Sequence, residues 1–494
     1  MERLTIDPIT RLEGHGKIEI FLDDKGEVEE AYLQVPELRG FETFCRGRRA
    51  ELMPQLTSRI CGVCPVAHHM ASTKALDMAF KTEPPPLAHK LRELLYMGYI
   101  IYDHILHFYF LAAPDFIVGP TSPKEKRNIL GILEKIGVDT VKMVIKHRAY
   151  GQKITEILGG KATHPVSGLP GGVTKGLNEE ERKEIENMAK SCLGFAQETI
   201  KIFKNTVLMN KDYKKLITSK DLALSTYNMG LVDKENKLNF YRGRVRVTAP
   251  DGSEFLKFDQ QDYRDLIAER VLPWSYVKVP YLKKVGWNDL TDGFNSGLYR
   301  VGPLGRLNAA DGLNTPLAQK EFEKMIEFFG GKPINNTLAY HWARVIEILN
   351  ASERAVELIT DDDITGEDLK NPIAAETPGR GVGIVEAARG TLIHDYTVDE
   401  NDLIKDLNLI VATTNNNGVI NMAIRQAASK FIHKGKYDEG IFNMVEMFFR
   451  AFDPCMACAS HQLGKVPLEI SIKDKDGNII DTITNFKKGE QCGI

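Results

Sequence analysis

The sequence stretches RICGVCPVAH at positions 59–68 and DPCMACASH at positions 453–461 decide the fold of this chain. Each contains a Cys-x-x-Cys pair, Cys61 with Cys64 and Cys455 with Cys458, and the two pairs lie 394 positions apart. Four thiolates from two short turns can build one tetrahedral site for a soft metal. We therefore expect a single intertwined domain in which both motifs meet in the core. The same four ligands also suit a purely structural zinc ion, so the cysteines alone leave both kinds of site open.

Composition indicates an ordinary globular protein. The 494 residues are 43% hydrophobic and 27% charged, which suffices for a large core. A formal net charge of −3 gives no reason to expect a nucleic-acid partner. Neither an apolar run of the roughly 20 residues that cross a bilayer nor the apolar core of an export signal is present. We expect a cytoplasmic protein without a membrane span of its own.

The seven cysteines are too few for a disulfide framework in a chain of this length. Outside the two motifs, Cys45, Cys192 and Cys492 are expected to be plain thiols. No set of cysteines then remains to hold an iron–sulfur cluster. Electrons exchanged at a redox site in this chain must therefore pass through another subunit.

The spacing of apolar residues predicts an α+β fold that is mainly α. Alternation between 18 and 33 indicates an antiparallel hairpin. From 87 to 111, apolar residues recur every three or four positions over a wide face, which predicts a central helix. We expect a central helical bundle with peripheral antiparallel β hairpins. Further helices are predicted at 123–158, 178–209, 316–330 and 337–358. We also expect a buried strand at 406–414, a mostly helical segment at 418–451 and a hairpin after position 461.

Both motifs resemble those of the large, catalytic subunit of nickel–iron hydrogenases. The family pattern RxCGxCxxxH is matched from Arg59 to His68, and DPCxxCxxH from Asp453 to His461. Other family-like segments follow in the family's order: DPITRLEGH at 7–15, RGFE at 39–42, DHILHFY at 103–109 and EAARG at 386–390. The resemblance covers essentially the whole chain.

The resemblance implies reversible heterolytic cleavage of H2 at a nickel–iron centre whose iron carries carbon monoxide and cyanide. By position, Cys61 and Cys455 would be terminal nickel ligands, while Cys64 and Cys458 would bridge to iron. Cys455 would be the thiolate that accepts the proton. Glu13 matches the glutamate that takes protons onward from this sulfur. An exposed hairpin glutamate is the alternative interpretation of Glu13.

The resemblance also places Arg389 over the open metal position, fixed by Asp103 and Asp453, although a structural ion pair would look similar. The family commonly has proline before this arginine, and Ala388 stands there instead, which we expect to loosen the backbone. His68 is expected to donate a hydrogen bond toward Cys64.

Two further features are implied at the C-terminal end. Glu42 and His461 match residues that hold a structural magnesium or iron in the family, with a backbone carbonyl near Asn408 as a further ligand. In the family, a maturation endopeptidase usually removes the tail after this histidine once insertion factors have loaded the nickel. We therefore divide the chain into a large-subunit domain at 1–461 and a tail at 462–494.

The segments VGPLGRLN at 301–308 and WSYVK at 274–278, with the proline–glycine loop at 164–172, are similar to the cytosolic multi-subunit branch of the family. The implied partners are an iron–sulfur small subunit and flavin or iron–sulfur carrier subunits serving NAD(P), ferredoxin or deazaflavin. A metal-free precursor and a zinc-stabilised, non-catalytic scaffold are the alternatives. Retention of all four cysteines disfavours a related respiratory subunit that has lost its metal.

Overall fold

The computed structural model describes residues 2–373, 377–461, 469–473 and 479–484. Most of the regular structure is helical, as expected. The helices are α1 (Phe41–Cys45), α2 (Met53–Ser58), α3 (Pro65–Ala79), α4 (Pro86–Leu106), α5 (Ile129–Ile136), α6 (Val138–Gly159), α7 (Glu179–Phe203), α8 (Lys211–Ile217), α9 (Tyr263–Leu266), α10 (Gly302–Ala309), α11 (Pro316–Phe329), α12 (Tyr340–Ile359), α13 (Ala412–Phe431), α14 (Glu439–Ala451) and α15 (Met456–Ala459).

The strands of the described residues form small sheets of two to four members, ordered β1-β2-β3, β4-β5, β11-β6-β7-β8, β10-β9, β12-β13-β14 and β15-β16. The strands are β1 (Glu2–Ile6), β2 (Lys17–Leu22), β3 (Val28–Gln34), β4 (Gly168–Leu169), β5 (Gly172–Val173), β6 (Tyr227–Val232), β7 (Arg244–Thr248), β8 (Glu254–Phe258), β9 (Ile267–Arg270), β10 (Val279–Leu282), β11 (Tyr299–Arg300), β12 (Arg380–Ala387), β13 (Gly390–Val398), β14 (Ile404–Ile410), β15 (Glu469–Lys473) and β16 (Ile479–Thr484).

Helix α4 is the central helix that the apolar spacing predicted. Residues on all of its faces are buried, and it packs against α6 and α12. Two glycines let α4 and α6 approach closely, since a Cβ atom on Gly151 would lie 2.8 Å from the carbonyl oxygen of Gly98. The helix carries Asp103 near its C-terminal end and so brings this carboxylate into the core.

The sheet β12-β13-β14 is buried, whereas we expected the β hairpins to be peripheral. Nearly every residue of β12 and β13 is buried, because α3 lies directly on β12. Glycines make this contact possible: a Cβ atom on Gly383 would lie 2.0 Å from the carbonyl oxygen of Ala71, and one on Gly381 would lie 2.0 Å from that of Ala75. The sheet thereby presents the β12–β13 turn, which carries Arg389, to the interior.

Three boundaries differ from the sequence predictions. The strand expected at 406–414 ends at Ile410, because α13 begins at Ala412. The helix expected at 123–158 is two helices separated by Gly137, whose φ of 83° lies outside the helical region. The mostly helical segment expected at 418–451 begins earlier, at Ala412 in α13, and ends with α14 at Ala451. The remaining predicted helices are present.

The two ends of the described core pair with each other. The backbone N–H of Met456 donates to the carbonyl of Glu13 at 2.9 Å, and that of Phe41 donates to the carbonyl of His461 at 2.7 Å. The segment 453–461 therefore runs between two N-terminal loops, which confirms that the Cys-x-x-Cys motifs meet. Beyond it, β15 and β16 pair as an antiparallel hairpin. Among the described residues, no helix has the length and apolarity needed to cross a membrane.

Candidate metal centre

The two Cys-x-x-Cys turns bring four sulfur atoms together in the core. The Sγ atoms of Cys61 and Cys455 are 3.3 Å apart, as are those of Cys64 and Cys458. All four sulfurs lie within 4.8 Å of one another. Each cysteine is at most 4% exposed. Four buried, soft donors in this arrangement fit a nickel, iron or zinc centre.

Electrostatics makes this cluster receptive to a cation. Hydrogen bonds from the other three thiols hold the pKa of Cys61 well below its usual range. Burial raises the pKa of Cys455 and Cys458 well above theirs. The Cys61 sulfur is therefore the thiolate that the other three thiols favour, and a bound cation would promote release of their protons.

The Glu13 carboxylate contacts this cluster. The Cys455 thiol donates to Glu13 Oε2 at 2.9 Å, and the Ala457 N–H donates to the same oxygen at 3.0 Å. Burial raises the pKa of Glu13. Gly14, with a φ of 81°, permits the close approach, since a Cβ atom there would lie 2.7 Å from Met456 Cβ. This geometry excludes the alternative of an exposed hairpin glutamate.

Arg389 is held by both expected carboxylates. Its two terminal nitrogens each lie 3.1 Å from an oxygen of Asp103, and Nη2 lies 3.1 Å from an oxygen of Asp453. Arg389 is only 3% exposed. Burial raises the pKa of Asp453 to about 7. A charged guanidinium fixed by a bidentate partner is thus directed into the site.

The residue before Arg389 is fixed by a bond that proline could not make. The N–H of Ala388 donates to the hydroxyl of Tyr99 at 2.9 Å. Tyr99 and Asp103 lie one turn apart on α4, so a single helix holds both the Ala388 backbone and the guanidinium. The loosening that we expected from Ala388 is offset by this bond. Sequence reasoning missed Tyr99, because its partner lies 289 positions away.

His68 contacts a different cysteine from the one expected. Its Nε2 lies 3.4 Å from the sulfur of Cys458, because α3 directs the ring toward the C-terminal turn, and the expected bond to Cys64 is not the one formed. Its Nδ1 lies 3.1 Å from Nε2 of His394, which we had not predicted. The sequence signal was the spacing of His394 and Tyr396, which are two residues apart on one face of the strand.

Glu42 and His461 converge near a backbone carbonyl. His461 Nε2 is 2.8 Å from the carbonyl oxygen of Leu409 and 3.9 Å from Glu42 Oε1. The carbonyl expected near Asn408 is thus that of the next residue. Burial raises the pKa of Glu42 to about 7 and lowers that of His461 to about 4. Carboxylate, imidazole and carbonyl donors together suit a hard cation.

Two further histidines in the core have structural partners, and two further cysteines are plain buried thiols. His104 pairs with Glu347, and His107 Nε2 lies 2.8 Å from the carbonyl of Arg450. Cys45 and Cys192 are buried thiols, with pKa values raised by burial to about 12. Cys492 lies outside the described residues.

Comparison with known proteins decides the family. A family model described as nickel-dependent hydrogenase matches residues 39–125 and 142–461, and a model described as HoxL-like matches residues 3–38. The chain belongs to the nickel-dependent hydrogenase family. This hydrogenase chain is 47% identical over 488 residues to an iron-sulfur subunit of the F420-non-reducing hydrogenase of Archaeoglobus profundus, covering 98% of this chain and 100% of that one.

A second relative is the NAD-reducing hydrogenase HoxS subunit beta of Cupriavidus necator, 38% identical over 493 residues, covering 97% of this chain and 99% of that one. Among solved structures, an NAD+-reducing NiFe-hydrogenase in the H2-reduced state matches with a TM-score of 0.87 at 38% identity, covering 93% of this chain and 100% of that one. The Ni-Fe-Se hydrogenase of D. vulgaris Hildenborough matches with a TM-score of 0.73 at 25% identity, with coverage of 93% and 100%. The hydrogenase large-subunit fold and an oxidoreductase activity are therefore established.

Proposed function

We propose that this chain is the catalytic subunit of a multi-subunit hydrogenase that cleaves H2 heterolytically and reversibly at a nickel–iron centre. The observation that carries the proposal is the contact between Glu13 and Cys455 within the four-sulfur cluster. A structural zinc site needs four sulfurs but has no use for a carboxylate on one of them. A site that transfers protons, in contrast, needs such a carboxylate.

The donor set fits the proposed centre. Cys61 and Cys455 would hold nickel alone, and Cys64 and Cys458 would bridge it to an iron carrying carbon monoxide and cyanide. Such a metal pair supplies Lewis acidity for the heterolytic splitting of hydrogen. The Cys455 sulfur would take the proton and pass it to Glu13 Oε2, 2.9 Å away. A pKa raised by burial prepares Glu13 to receive it.

Arg389 would face the bound hydrogen molecule, and its role is positional. Bidentate bonding to Asp103 and contact with Asp453 keep the guanidinium in one orientation. His68 would direct a hydrogen bond to the bridging Cys458 sulfur and so moderate its charge. At the second site, Glu42, His461 and the Leu409 carbonyl would hold magnesium or iron.

The proposed complex contains an iron–sulfur small subunit and flavin or iron–sulfur carrier subunits that deliver electrons to NAD(P), ferredoxin or deazaflavin in the cytoplasm. The relatives from Archaeoglobus profundus and Cupriavidus necator are each named as one subunit of a larger hydrogenase, which supports partners of this kind. We also propose that residues 462–494 form a maturation tail that an endopeptidase removes after nickel-insertion factors act. The family match, which ends at residue 461, supports this division.

The deciding experiment measures nickel and iron in the purified complex, together with the intact mass of this chain. We expect near-stoichiometric nickel and a mass that ends at His461. The Cys455→Ser variant should lose nickel and all H2 oxidation, whereas the matched Cys192→Ser variant, altered at a buried thiol outside the cluster, should keep both. Zinc in place of nickel, or full turnover in Cys455→Ser, would contradict the proposal.

A second candidate state is the metal-free precursor with its tail attached. The same mass measurement distinguishes the precursor from the mature subunit, because a chain that ends at Ile494 without nickel is the precursor.

A further inference from the structure

A buried cluster of charged side chains includes Arg11 of the loop between β1 and β2 and has no part in the mechanism above. Arg11 Nη2 donates to Asp115 Oδ1 at 2.5 Å and to Asn443 Oδ1 at 2.9 Å. Arg450 donates to both oxygens of Asp115, at 3.1 and 3.2 Å, and to Glu446 Oε2 at 2.5 Å. Apart from Arg11, whose side chain is 12% exposed, the members are 5% exposed or less. We call these five residues the arginine cluster.

Three segments that are distant in sequence supply the cluster. The loop after β1 contributes Arg11. The chain continues from α4 as a π-helix over His107–Ala112 and Pro114–Val118, and this stretch contributes Asp115. It also contributes the carbonyl of Leu111, which accepts from Arg11 Nη1 at 2.8 Å. Helix α14 contributes the other three members, which are three and four positions apart and therefore share one face.

The cluster fixes the backbone immediately before Glu13. The Thr10 hydroxyl donates to Glu446 Oε2 at 2.5 Å, and Arg450 Nη1 donates to the Thr10 carbonyl at 3.2 Å. The next residue, Arg11, has a φ of 55°, in the left-handed region that residues other than glycine rarely adopt. Such a conformation persists only where the surrounding structure imposes it. The cluster therefore sets the direction in which the chain reaches Glu13.

The other side of Glu13 is held by the turn that follows α14. Glu13 and Cys455 form a short parallel bridge. The Met456 N–H donates to the Glu13 carbonyl at 2.9 Å, and the Ala457 N–H donates to Glu13 Oε2 at 3.0 Å. Because α14 ends at Ala451, the helix that carries most of the cluster also leads into this turn. The cluster thus ties together the two segments whose separation decides how closely the carboxylate meets the sulfur.

Packing alone does not require charges at this place. Removal of two arginines and two carboxylates from water is costly, and apolar residues of similar volume often replace such a buried network without loss of stability. Bonds between guanidinium and carboxylate groups, in contrast, fix direction as well as distance. The cluster is therefore suited to defining a geometry.

We propose that Arg11 is a positioning residue that, through the arginine cluster, holds the Glu13 carboxylate at the Cys455 sulfur. The inference rests on the proposed function of Glu13 as the acceptor of the proton from Cys455. In this role Arg11 acts on the geometry of Glu13 and does not carry protons itself. Displacement of a reacting group by about 1 Å can lower a rate about hundredfold. Loss of Arg11 should accordingly slow proton transfer while nickel stays bound.

The test compares single and double variants in the purified complex. Arg11→Ala should keep a normal nickel content and lower the exchange of H2 against D2O by about tenfold to hundredfold. Because Arg11 acts only through Glu13, the double variant Arg11→Ala/Glu13→Gln should be no slower than Glu13→Gln alone. A residue that merely stabilises the fold would lower the rate by the same factor in both backgrounds.

Backbone amide exchange of the full metal-free chain gives a second measurement that does not depend on turnover. The N–H groups of Met456 and Ala457 both donate to Glu13, so their exchange with deuterium should become about tenfold faster in Arg11→Ala. The control is Arg246→Ala, which removes a buried arginine of β7 that donates to Glu254 and Asp311. It should leave both the amide exchange at 456–457 and the H2 exchange unchanged.

The outcomes separate this inference from the proposed function. An unchanged H2 exchange in Arg11→Ala, or an equal loss in both backgrounds, would overturn the inference and leave the proton path through Glu13 standing. A normal H2 exchange in Glu13→Gln would overturn both. If Arg11→Ala does not fold, the decision passes to Thr10→Val, which removes only the hydroxyl bond to Glu446. It should change both measurements in the same directions by smaller factors, and unchanged values would reject the inference.

Discussion

At the scale of single residues, the chemistry of this hydrogenase chain depends on what surrounds each ionisable group. Glu13 would be an ordinary glutamate on a hairpin, yet contact with Cys455 and partial burial make it an acceptor beside a sulfur. Asp453 is equally dependent on its setting, because burial raises its pKa to about 7 while Arg389 opposes that rise. Residue identity alone would have assigned both carboxylates a permanent charge.

Replacement of Glu13 by glutamine should separate proton transfer from metal binding. Glutamine keeps an oxygen for the Ala457 N–H but cannot carry a proton onward. We expect normal nickel content, with turnover and exchange of H2 against D2O lowered by about two to four orders of magnitude. The control is Glu37→Gln, at a carboxylate that pairs with His15. Normal exchange in Glu13→Gln would remove Glu13 from the proton path.

Lys74 gives the stability of the chain a specific pH dependence. Its ammonium donates to the carbonyls of Tyr241 and Ile384, and burial lowers its pKa from 10.5 to about 7 despite the attraction of Asp77. Between those two values the unfolded chain binds more protons than the folded one at this position. The free energy of unfolding should therefore rise as pH increases from about 7 to 10.5, and this gain should be lost again as pH falls toward about 7.

The measurement is the urea midpoint of wild type and Lys74→Met across that window. The variant should show a smaller rise with pH, because it has no group to titrate at this position. Lys161→Met, at an exposed loop lysine, should retain the wild-type slope. An unchanged slope in Lys74→Met would show that other groups cause the dependence.

At the scale of elements, prediction from sequence succeeded where local patterns dominate. The three- and four-residue apolar spacing was sufficient for α4, α7, α11 and α12. It failed for the buried sheet, because whether β12 and β13 lie at the surface depends on α3, a helix more than three hundred positions earlier. It also failed to divide the helix at Gly137, where a backbone conformation overrides a continuing apolar pattern.

Prediction of the site residues likewise succeeded for local motifs and failed for residues that depend on distant contacts. The four cysteines, Glu13 and Arg389 were singled out because they lie in short motifs that resemble a family. His394 and Tyr99 were missed, since each acts through a partner that only the fold supplies. The carbonyl expected near Asn408 is that of Leu409, and the exact residue could not be chosen because a backbone carbonyl leaves no mark in the sequence. Resemblance also named a different partner for His68, because the sulfurs of Cys64 and Cys458 lie only 3.3 Å apart.

Gly383 should be essential to the packing of β12 on α3. A methyl group there would lie 2.0 Å from the Ala71 carbonyl oxygen, so Gly383→Ala should lower the free energy of unfolding by about 2 kcal/mol or more. Gly194→Ala is the control, because a Cβ atom at this exposed α7 position meets nothing within 4 Å. It should raise stability by about 0.5–1 kcal/mol. Equal effects of the two changes in denaturant unfolding would contradict this account.

At the scale of the whole molecule, the metal centre joins the two ends of the folded core. One pair of sulfurs follows α2, and the other lies beyond α14, between the N-terminal segments that contain Glu13 and Phe41. Each turn alone provides two ligands, which is too few for a tight soft-metal site. The stability of the joined ends and the affinity for metal are therefore two measures of one interaction.

Metal removal should consequently lower the melting temperature of the entire chain. At a free metal concentration one hundred times Kd, binding to the folded state alone stabilises it by about 2.7 kcal/mol. The melting temperature of the loaded chain should exceed that of the metal-free chain. Cys455→Ser should abolish this difference, whereas Cys192→Ser should preserve it. A difference that survives in Cys455→Ser would place the stabilising metal at another site.

The distance of 394 positions between the paired sulfurs also orders the events of biosynthesis. A nascent chain that has been translated as far as Ala451 holds Cys61 and Cys64 but lacks their partners. During most of translation the ribosome thus carries a polypeptide that can capture a metal only weakly and in the wrong geometry. Assembly of the cofactor has to wait until the last segment emerges from the ribosome. The order of the cysteines along the chain therefore delays metal insertion until translation is nearly finished.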